Sequence, residues 1–208
     1  YTAAEEGTNL GIISLADSSA GMYLTGGASG RNEGTVSVGK QSVGIYAAGA
    51  GAYVVNNNGI INVGEESTGI FLSDGIRAEN LGTAEINGTG NKAVGIYSEN
   101  TAAGAVQITN DNKIDLAGEQ SIGIYASGNH NISNTGNILI GNSSDPDQPG
   151  VGIYQDGIAG SISNTGNINA GDNSIGIYNI NGTVTNSGSV TAGNGGTGIY
   201  TNGGTLNL

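Results

Sequence analysis

Hydrophobic residues along this chain occur in short pieces, separated by glycine, asparagine and serine. In residues 121–154 three such pieces follow one another, around Ile124, Ile132 and Ile138, and the first pattern then returns as Val151-Gly152-Ile153-Tyr154. The return of a pattern indicates an internal repeat, and a repeat of this kind determines the fold.

Two motifs mark each repeat and alternate along the whole chain. The first is a glycine, an aliphatic residue and an aromatic ring; its rings are Tyr23, Tyr46, Phe71, Tyr97, Tyr125, Tyr154, Tyr178 and Tyr200. The second is Asn-x-Gly, with Asn110-Asp111-Asn112 as a variant. Asparagine and glycine both tolerate positive φ, so Asn112 is interpreted as a substitute for the glycine.

Each Asn-x-Gly motif is followed by alternating apolar and polar residues, as in Val36-Ser37-Val38. Such alternation indicates a half-buried strand. A second short strand precedes each asparagine, a third carries the aromatic motif, and no segment has helical periodicity. The chain is therefore predicted to be all-β: a right-handed parallel β-helix, or solenoid, with about three short strands per coil and about eight coils. The Leu-x-x-Leu-x-Leu pattern of the rival leucine-rich repeat is absent.

Alternation also assigns the inward face. Counting by twos from Ile132 places Asn134, Ile138 and Ile140 inside. Stacked asparagine amides can each donate to one neighbour and accept from the other. The predicted structural ladder consists of Asn9, Asn32, Asn57, Asn80, Asn110, Asn134, Asn164 and Asn186, with Asn207 as a further rung.

The facing of the aromatic rings is left open by the same argument. The rings point outward if Ile45 and its equivalents point inward, and the reverse arrangement stays open. The glycine two residues before each ring is expected to share the side of that ring and to leave room for it. An outward strip of tyrosines is a candidate partner-binding surface; the simpler alternative is a stack that holds the coils in register.

Composition excludes several classes of function. The formal net charge is −12 with only five Lys and Arg, which argues against nucleic acid and against anionic membrane surfaces. There is no cysteine, so disulfides and thiolate metal sites are excluded. No apolar run approaches the roughly 20 residues that span a bilayer, so the chain is not expected to be membrane-inserted itself. No cofactor is expected.

Two lengthened repeats predict side loops near residues 99–105 and 142–149. Insertions in solenoids are the usual places for binding, although a tolerated surface insertion is the simpler interpretation. Asp145 and Asp147 are weak candidates for holding a cation. The candidate partner-binding residues are Tyr97, Tyr125, Tyr154, Tyr178, Asp145, Asp147 and Gln148.

Signals of catalysis are poor. The single histidine, His130, is expected to be a solvated turn residue. Arg31 and Arg77 have no aspartate cluster in register with them, as a polysaccharide-cleaving β-helix would need. No catalytic residue is predicted, and the chain is expected not to be an enzyme.

The repeated motifs resemble a known family. Ser42-Val43-Gly44-Ile45-Tyr46 and the Asn-Thr-Gly-Asn-Ile sequences at 134–138 and 164–168 are similar to the passenger domains of large type V autotransporter adhesins, especially the fusobacterial outer-membrane type. The resemblance covers essentially the whole chain. It implies that residues 1–208 form a single β-helix segment, a fragment of a longer passenger.

The resemblance also implies a function. The expected role is a surface-displayed, non-catalytic adhesin stalk or binding segment that mediates cell–cell or host attachment. Its expected partner is a protein or glycan of a host-cell or bacterial surface, and its expected anchor is a C-terminal barrel in the outer membrane. The alternatives are a polysaccharide-degrading β-helix enzyme and a filamentous haemagglutinin-like exoprotein of two-partner secretion.

Overall fold

The computed structural model describes residues 6–102, 104–157 and 159–208. Within these ranges the chain forms strands β1 to β25 and no helix, so no helix there could cross a membrane. The strands repeat in groups of three, and each group makes one coil that contributes one strand to each of three sheets.

The sheets are called A, B and C, in the order in which each coil visits them. Sheet A contains β1 (Glu6–Asn9), β4 (Ser29–Asn32), β7 (Tyr53–Asn57), β10 (Arg77–Leu81), β13 (Val106–Asn110), β16 (His130–Asn134), β19 (Ser161–Asn164), β22 (Thr183–Asn186) and β25 (Thr205–Asn207). Sheet B contains β2 (Ile12–Ser14), β5 (Thr35–Ser37), β8 (Ile60–Val63), β11 (Glu85–Gly88), β14 (Lys113–Leu116), β17 (Asn137–Ile140), β20 (Asn167–Ala170) and β23 (Ser189–Ala192). Sheet C contains β3 (Ala20–Leu24), β6 (Val43–Ala48), β9 (Thr68–Ser73), β12 (Val94–Asn100), β15 (Ile122–Gly128), β18 (Val151–Gln155), β21 (Ile175–Ile180) and β24 (Thr197–Asn202).

Every strand pairs in parallel with the equivalent strand of the next coil. For example, β12 pairs with β15, and the register places Ile96 beside Ile124 and Tyr97 beside Tyr125. Residues one repeat apart therefore lie directly over each other, and the sheets contain nine, eight and eight strands. The predicted fold of a parallel solenoid with three strands per coil and about eight coils is confirmed.

The core is a set of aliphatic files that run along the interior. Sheet C contributes Ile45, Ile70, Ile96, Ile124, Ile153 and Ile177, and sheet B contributes Val36, Ile61, Ile86, Ile114, Ile138 and Ile168, each with no exposed surface. Burying one such side chain stabilises the fold by about 1.5–3 kcal/mol. Because every coil buries the same positions, the chain gains a large total stabilisation even though its overall hydrophobic content is low. The predicted inward residues Ile132, Ile138 and Ile140 are all buried, as expected.

The glycine of the aromatic motif is needed because the chain packs closely at that point. A Cβ on Gly123 would lie 2.5 Å from the carbonyl oxygen of Gly152 and 2.7 Å from Cγ2 of Ile138. Gly44 and Gly69 are similarly crowded, whereas Gly198, in the last coil, has nothing within 4 Å of such a Cβ. The expectation that this glycine leaves room for the ring is wrong, because its missing side chain would point at the next coil and the interior.

The asparagines form a continuous hydrogen-bonded file at the corner between sheets A and B. The side-chain amide of each donates to the Oδ1 of the next at 2.6–2.9 Å, in the order Asn9, Asn32, Asn56, Asn80, Asn110, Asn134, Asn164 and Asn186. Most of these amides also donate to a corner carbonyl, as Asn134 does to Gly136 at 3.3 Å. The file thereby satisfies polar groups that have no access to water.

Two predicted rungs are wrong. Asn56, not Asn57, pairs with Asn32 and Asn80, whereas Asn57 lies beside Leu81 and donates to Glu33 at 3.3 Å. The turn after Asn56 is one residue longer than the turn after Asn32, and Asn58 takes the extra position with φ +60°. Asn207 also misses the file, because it lies beside Thr185.

In most coils the glycine of Asn-x-Gly is also needed for close approach of the backbone, whereas Gly82 has positive φ. A Cβ on Gly136 would lie 2.0 Å from the carbonyl oxygen of Asn112. Neither Gly136 nor Asn112 has positive φ, so the interpretation based on φ is wrong. Asn112 lies beside the longer turn of the previous coil, which joins β10 to β11. Its side-chain amide donates to the Ala84 carbonyl of that turn at 2.9 Å.

Candidate interaction surface

The aromatic rings form one file on the outer side of sheet C. Neighbouring ring centroids are 4.6–5.2 Å apart from Tyr23 to Tyr200. The rings are outside because they alternate with the buried isoleucines, as Tyr125 does with Ile124. This arrangement resolves the facing that the sequence left open, and it brings the candidates Tyr97, Tyr125, Tyr154 and Tyr178 together.

The stacking decides what each ring offers to a partner. From Tyr97 to Tyr200 the planes of neighbouring rings differ by only 9–23°, so each ring covers the faces of its neighbours. Phe71 interrupts this order, since its ring lies at 79° to Tyr46 and 77° to Tyr97. Between Tyr97 and Tyr178 the file therefore presents ring edges and hydroxyl groups to solvent, and its faces are occupied.

The phenols in the middle of the file are kept neutral. Partial burial raises the pKa of Tyr97, Tyr125 and Tyr154; the Asp156 carboxylate contributes to the increase in all three, and Glu99 contributes to that of Tyr97. A neutral phenol both donates and accepts a hydrogen bond. Half-buried Val94, Ile122 and Ile175 precede the rings on the same strands, so the file is bordered by an aliphatic column. We call this surface the tyrosine face; it consists of Tyr97, Tyr125, Tyr154 and Tyr178.

The predicted loop at 142–149 joins β17 to β18. Both oxygens of the Asp145 carboxylate are engaged within the loop, by the backbone N–H of Asp147 at 2.9 Å and the side-chain amide of Gln148 at 3.1 Å. The buried Ser143 hydroxyl lies 2.9 Å from the Asp145 carbonyl oxygen and 2.8 Å from that of Gln148, so its single hydrogen is donated to one or shared between them. The loop is thus internally tied and presents the exposed side chains of Asp147 and Gln148.

The loop does not join the tyrosine face. It lies at the corner before β18, where Ser144 donates to Glu119 at 2.7 Å and the amide of Asn173 donates to the Ser143 carbonyl at 2.9 Å. The candidate residues therefore fall into two separate groups. Within the described ranges, no three His, Asp or Glu side chains are grouped as metal ligands.

The predicted loop at 99–105 is shorter than expected, because β12 continues to Asn100. The Asn100 side chain then bridges the loop, accepting from the Ala102 N–H at 3.0 Å and donating to the Asn129 carbonyl at 3.0 Å. Asp74 accepts from both the N–H and the hydroxyl of Thr101. Ala103 lies outside the described residues.

His130 is fully buried, so the expectation of a solvated turn residue is wrong. It is two residues before Ile132 on the same strand and therefore points inward. Its Nδ1 lies 3.1 Å from the Gly128 carbonyl oxygen, which can only accept, so Nδ1 carries the proton. Nε2, 2.9 Å from the Ser98 hydroxyl, then accepts from it. Neither Ser98 nor His130 has exposed surface, so this pair cannot touch a substrate in this arrangement.

The two arginines are paired with acids on the outer side of sheet A. Arg31 lies 2.6 Å from Glu33, and Arg77 lies 3.6 Å from Glu79. The Arg77 guanidinium also lies 4.4 Å from the centre of the Tyr53 ring, a tyrosine that does not belong to the file. Both guanidinium groups are therefore engaged by neighbouring side chains on the surface of the rod.

The burial of His130 predicts a pH-dependent stability. Burial lowers the pKa of His130, so the unfolded chain takes up a proton near pH 6.5 while the folded chain stays neutral. The stability contributed by neutral His130 is full above pH 6.5 and is lost as the pH falls toward the lowered pKa. We expect the urea midpoint of unfolding to decrease between pH 7 and pH 5.

A variant without the ring provides the control. His130→Gln should lower stability at pH 7 but flatten the change between pH 7 and pH 5. Carboxylates with a lowered pKa, such as Glu66 and Asp74, act below this window. An unchanged slope in the variant would contradict the assignment to His130.

Sequence reasoning also missed Gln155 and Asn179, which are fully buried in the interior. Each follows a ring of the tyrosine face, and alternation makes that position inward, as it does for Ala126. The sequence carries this signal, because the residue after each ring points inward and is polar at 155 and 179.

Comparison with known proteins identifies the family. Residues 8–208 match the family model described as the BigA third pectate lyase-like domain. The chain belongs to this family. BigA is an autotransporter-type adhesin, so the match supports a passenger-like domain of a bacterial adhesin. The term pectate lyase-like describes a relationship of fold. No curated protein and no solved structure matches the chain.

Proposed function

We propose that this chain is a non-catalytic segment of a surface-displayed adhesin, which holds a binding surface away from the cell and contributes to attachment to host cells or other bacteria. The observation that carries the proposal is the match to an adhesin family over residues 8–208, a range that coincides with an uninterrupted solenoid. In such a rod, outward side chains are free to vary while the interior files maintain the fold.

Two features of the surface support a binding role in addition to spacing. The tyrosine face supplies a row of phenol hydroxyls about 5 Å apart, beside an aliphatic column. Tyrosines are favoured in interfaces because each offers apolar area and a hydrogen-bonding group at low entropic cost. Since ring faces are covered, the recognition we propose uses hydroxyls and ring edges, which suits a protein surface or the hydroxyls of a glycan.

The loop at 142–149 is the second proposed contact. Its hydrogen bonds fix its shape before a partner arrives, and preorganisation reduces the entropic cost of binding. Asp147 and Gln148 project from it. Because the chain carries a net charge of −12, a basic partner surface would be attracted to this loop.

Binding of the purified chain to cultured host cells and to whole bacteria tests the proposal. We expect saturable binding, and we expect replacement of Tyr97, Tyr125, Tyr154 and Tyr178 by phenylalanine to weaken it about thirtyfold or more. Four lost hydroxyls at roughly 0.5–1.5 kcal/mol each suffice for that change. Phe71 already occupies the same file, so the rings of this variant still fit.

The loop variant Asp147→Ala/Gln148→Ala provides the comparison, and deletion of 143–149 extends it. If both the tyrosine variant and the loop variants bind as well as the unaltered chain, neither surface contacts the partner, and the two surfaces serve only the rod that holds other binding elements away from the cell. Absence of binding by the unaltered chain would reject a direct role in attachment. Release of sugar products from polygalacturonate would instead favour the polysaccharide-degrading alternative.

The place of this segment within a larger protein is part of the same proposal. We place residues 1–208 in the passenger of a longer autotransporter, held at the bacterial surface by an outer-membrane barrel. A two-partner exoprotein would lack that barrel, and the C-terminal end of the full gene distinguishes the two.

A further inference from the structure

The interior of the solenoid contains polar atoms that have no partner among the described residues. They are Oε1 of Gln155 and both Oδ1 and Nδ2 of Asn179, and all three are inaccessible to solvent. Both side chains are completely buried. Leaving buried amide atoms unpaired is costly, and native proteins satisfy nearly all such atoms with protein or ordered water.

Reorienting Gln155 does not remove the deficit. The Nε2 of Gln155 donates to the His130 carbonyl at 2.9 Å, and a flipped amide would place an oxygen there instead. That bond fixes the orientation of Gln155. Asn179 presents one donor and one acceptor in either orientation, so a group that both donates and accepts hydrogen bonds can pair with it.

The two side chains are neighbours of unequal length. Gln155 and Asn179 face each other in the register of β18 and β21, so their backbones are about 4.8 Å apart. In the asparagine file, side chains of equal length at this spacing bond directly, as Asn134 does to Asn164 at 2.6 Å. The side chain of Gln155 is one methylene longer than that of Asn179. The two amide groups are therefore offset from each other and do not meet as equal-length side chains do.

The interior at this corner has few competing side chains. The facing positions at the start of each sheet A strand are Gly160, Gly182 and Gly204 in successive coils, where earlier coils have Val106 and His130. Gln155 fills the space above Gly160, because a Cβ there would overlap its amide. The shorter Asn179 leaves more room above Gly182.

We propose that a single water molecule is bound between Gln155 and Asn179 as part of the folded structure. Its two hydrogens are donated to Gln155 Oε1 and Asn179 Oδ1, and its oxygen accepts from Asn179 Nδ2. One water thus satisfies two acceptors and one donor, and buried waters typically make about three such bonds. A small cation fits less well, because the Nδ2 hydrogens would face it.

A crystal structure of the unaltered chain at a resolution that shows ordered water tests the proposal. We expect one electron-density peak 2.7–3.2 Å from Gln155 Oε1 and from both polar atoms of Asn179. Direct bonding between the two amides with no peak would overturn the proposal. A peak nearer than about 2.5 Å to both oxygens would indicate a cation and would also overturn it.

A variant of equal side-chain length gives a second measurement. Gln155→Asn restores the geometry of the asparagine file, so we expect a direct amide–amide bond to residue 179 and loss of the peak. Persistence of the peak in this variant would mean that other groups hold it, contrary to the proposed bridge. The file at Asn134 and Asn164 is the internal control, since it should be dry in both crystals.

Discussion

Gly123→Ala is expected to lower the free energy of unfolding of this chain by about 3 kcal/mol or more. The new methyl group would lie 2.5 Å from the Gly152 carbonyl oxygen and 2.7 Å from Ile138 Cγ2. Both contacts are with groups fixed by inter-coil packing, so relief requires moving one coil relative to the next. Urea unfolding followed by circular dichroism measures the loss.

Gly198→Ala is the matched control. Gly198 occupies the same position of the same motif, yet a Cβ there would meet nothing within 4 Å. Neither glycine has positive φ, so backbone strain does not separate the two substitutions. We expect Gly198→Ala to change stability by less than about 0.5 kcal/mol. Equal losses in the two variants would show that crowding is not the reason for glycine.

Asn56→Ala is expected to cost about 3 kcal/mol, whereas Asn57→Ala should cost less than about 1 kcal/mol. The amide of Asn56 accepts from Asn32 at 2.8 Å and donates to Asn80 at 2.9 Å, with no exposure to solvent. Its removal leaves a buried donor on Asn32 and a buried acceptor on Asn80 unpaired, at roughly 1–3 kcal/mol each. Asn57 makes one exposed hydrogen bond, to Glu33.

These adjacent substitutions test the register of the third coil directly. The motif Asn57-Asn58-Gly59 assigns the rung to Asn57, and the structure assigns it to Asn56. Thermal unfolding of the two variants at the same pH distinguishes the assignments. A larger loss for Asn57→Ala than for Asn56→Ala would contradict the register described here.

The solenoid could be predicted because each residue type in the repeat has one structural role. Isoleucine fills the interior, asparagine satisfies a corner, and an aromatic residue stacks outside. Seven of the nine predicted rungs lie in the hydrogen-bonded file, and Asn57 and Asn207 do not. The Asn57 error arose because a motif fixes residue order, while register depends on how many residues the turn holds.

The candidate interaction surface was less accessible to sequence reasoning. That Tyr125 faces outward follows from alternation once Ile124 is known to be inside, but the angle between rings does not. Parallel stacking from Tyr97 to Tyr200 and the perpendicular Phe71 depend on side-chain rotation, which no pattern encodes. His130 was misjudged because its glycine and asparagine neighbours suggested a turn, whereas the two-residue step to Ile132 places it inside.

The parallel pairing of coils has a mechanical consequence for the attachment role proposed above. Every inter-coil hydrogen bond points along the length of the rod, so tension applied at one end acts on the outermost coil before the others. Rungs of the asparagine file are 22 to 30 residues apart, and a freed segment of about 24 residues extends to roughly 80 Å. The same coil occupies only about 4.8 Å when folded. Each coil that detaches therefore lengthens the tether many times over and absorbs work, while the remaining coils keep their structure.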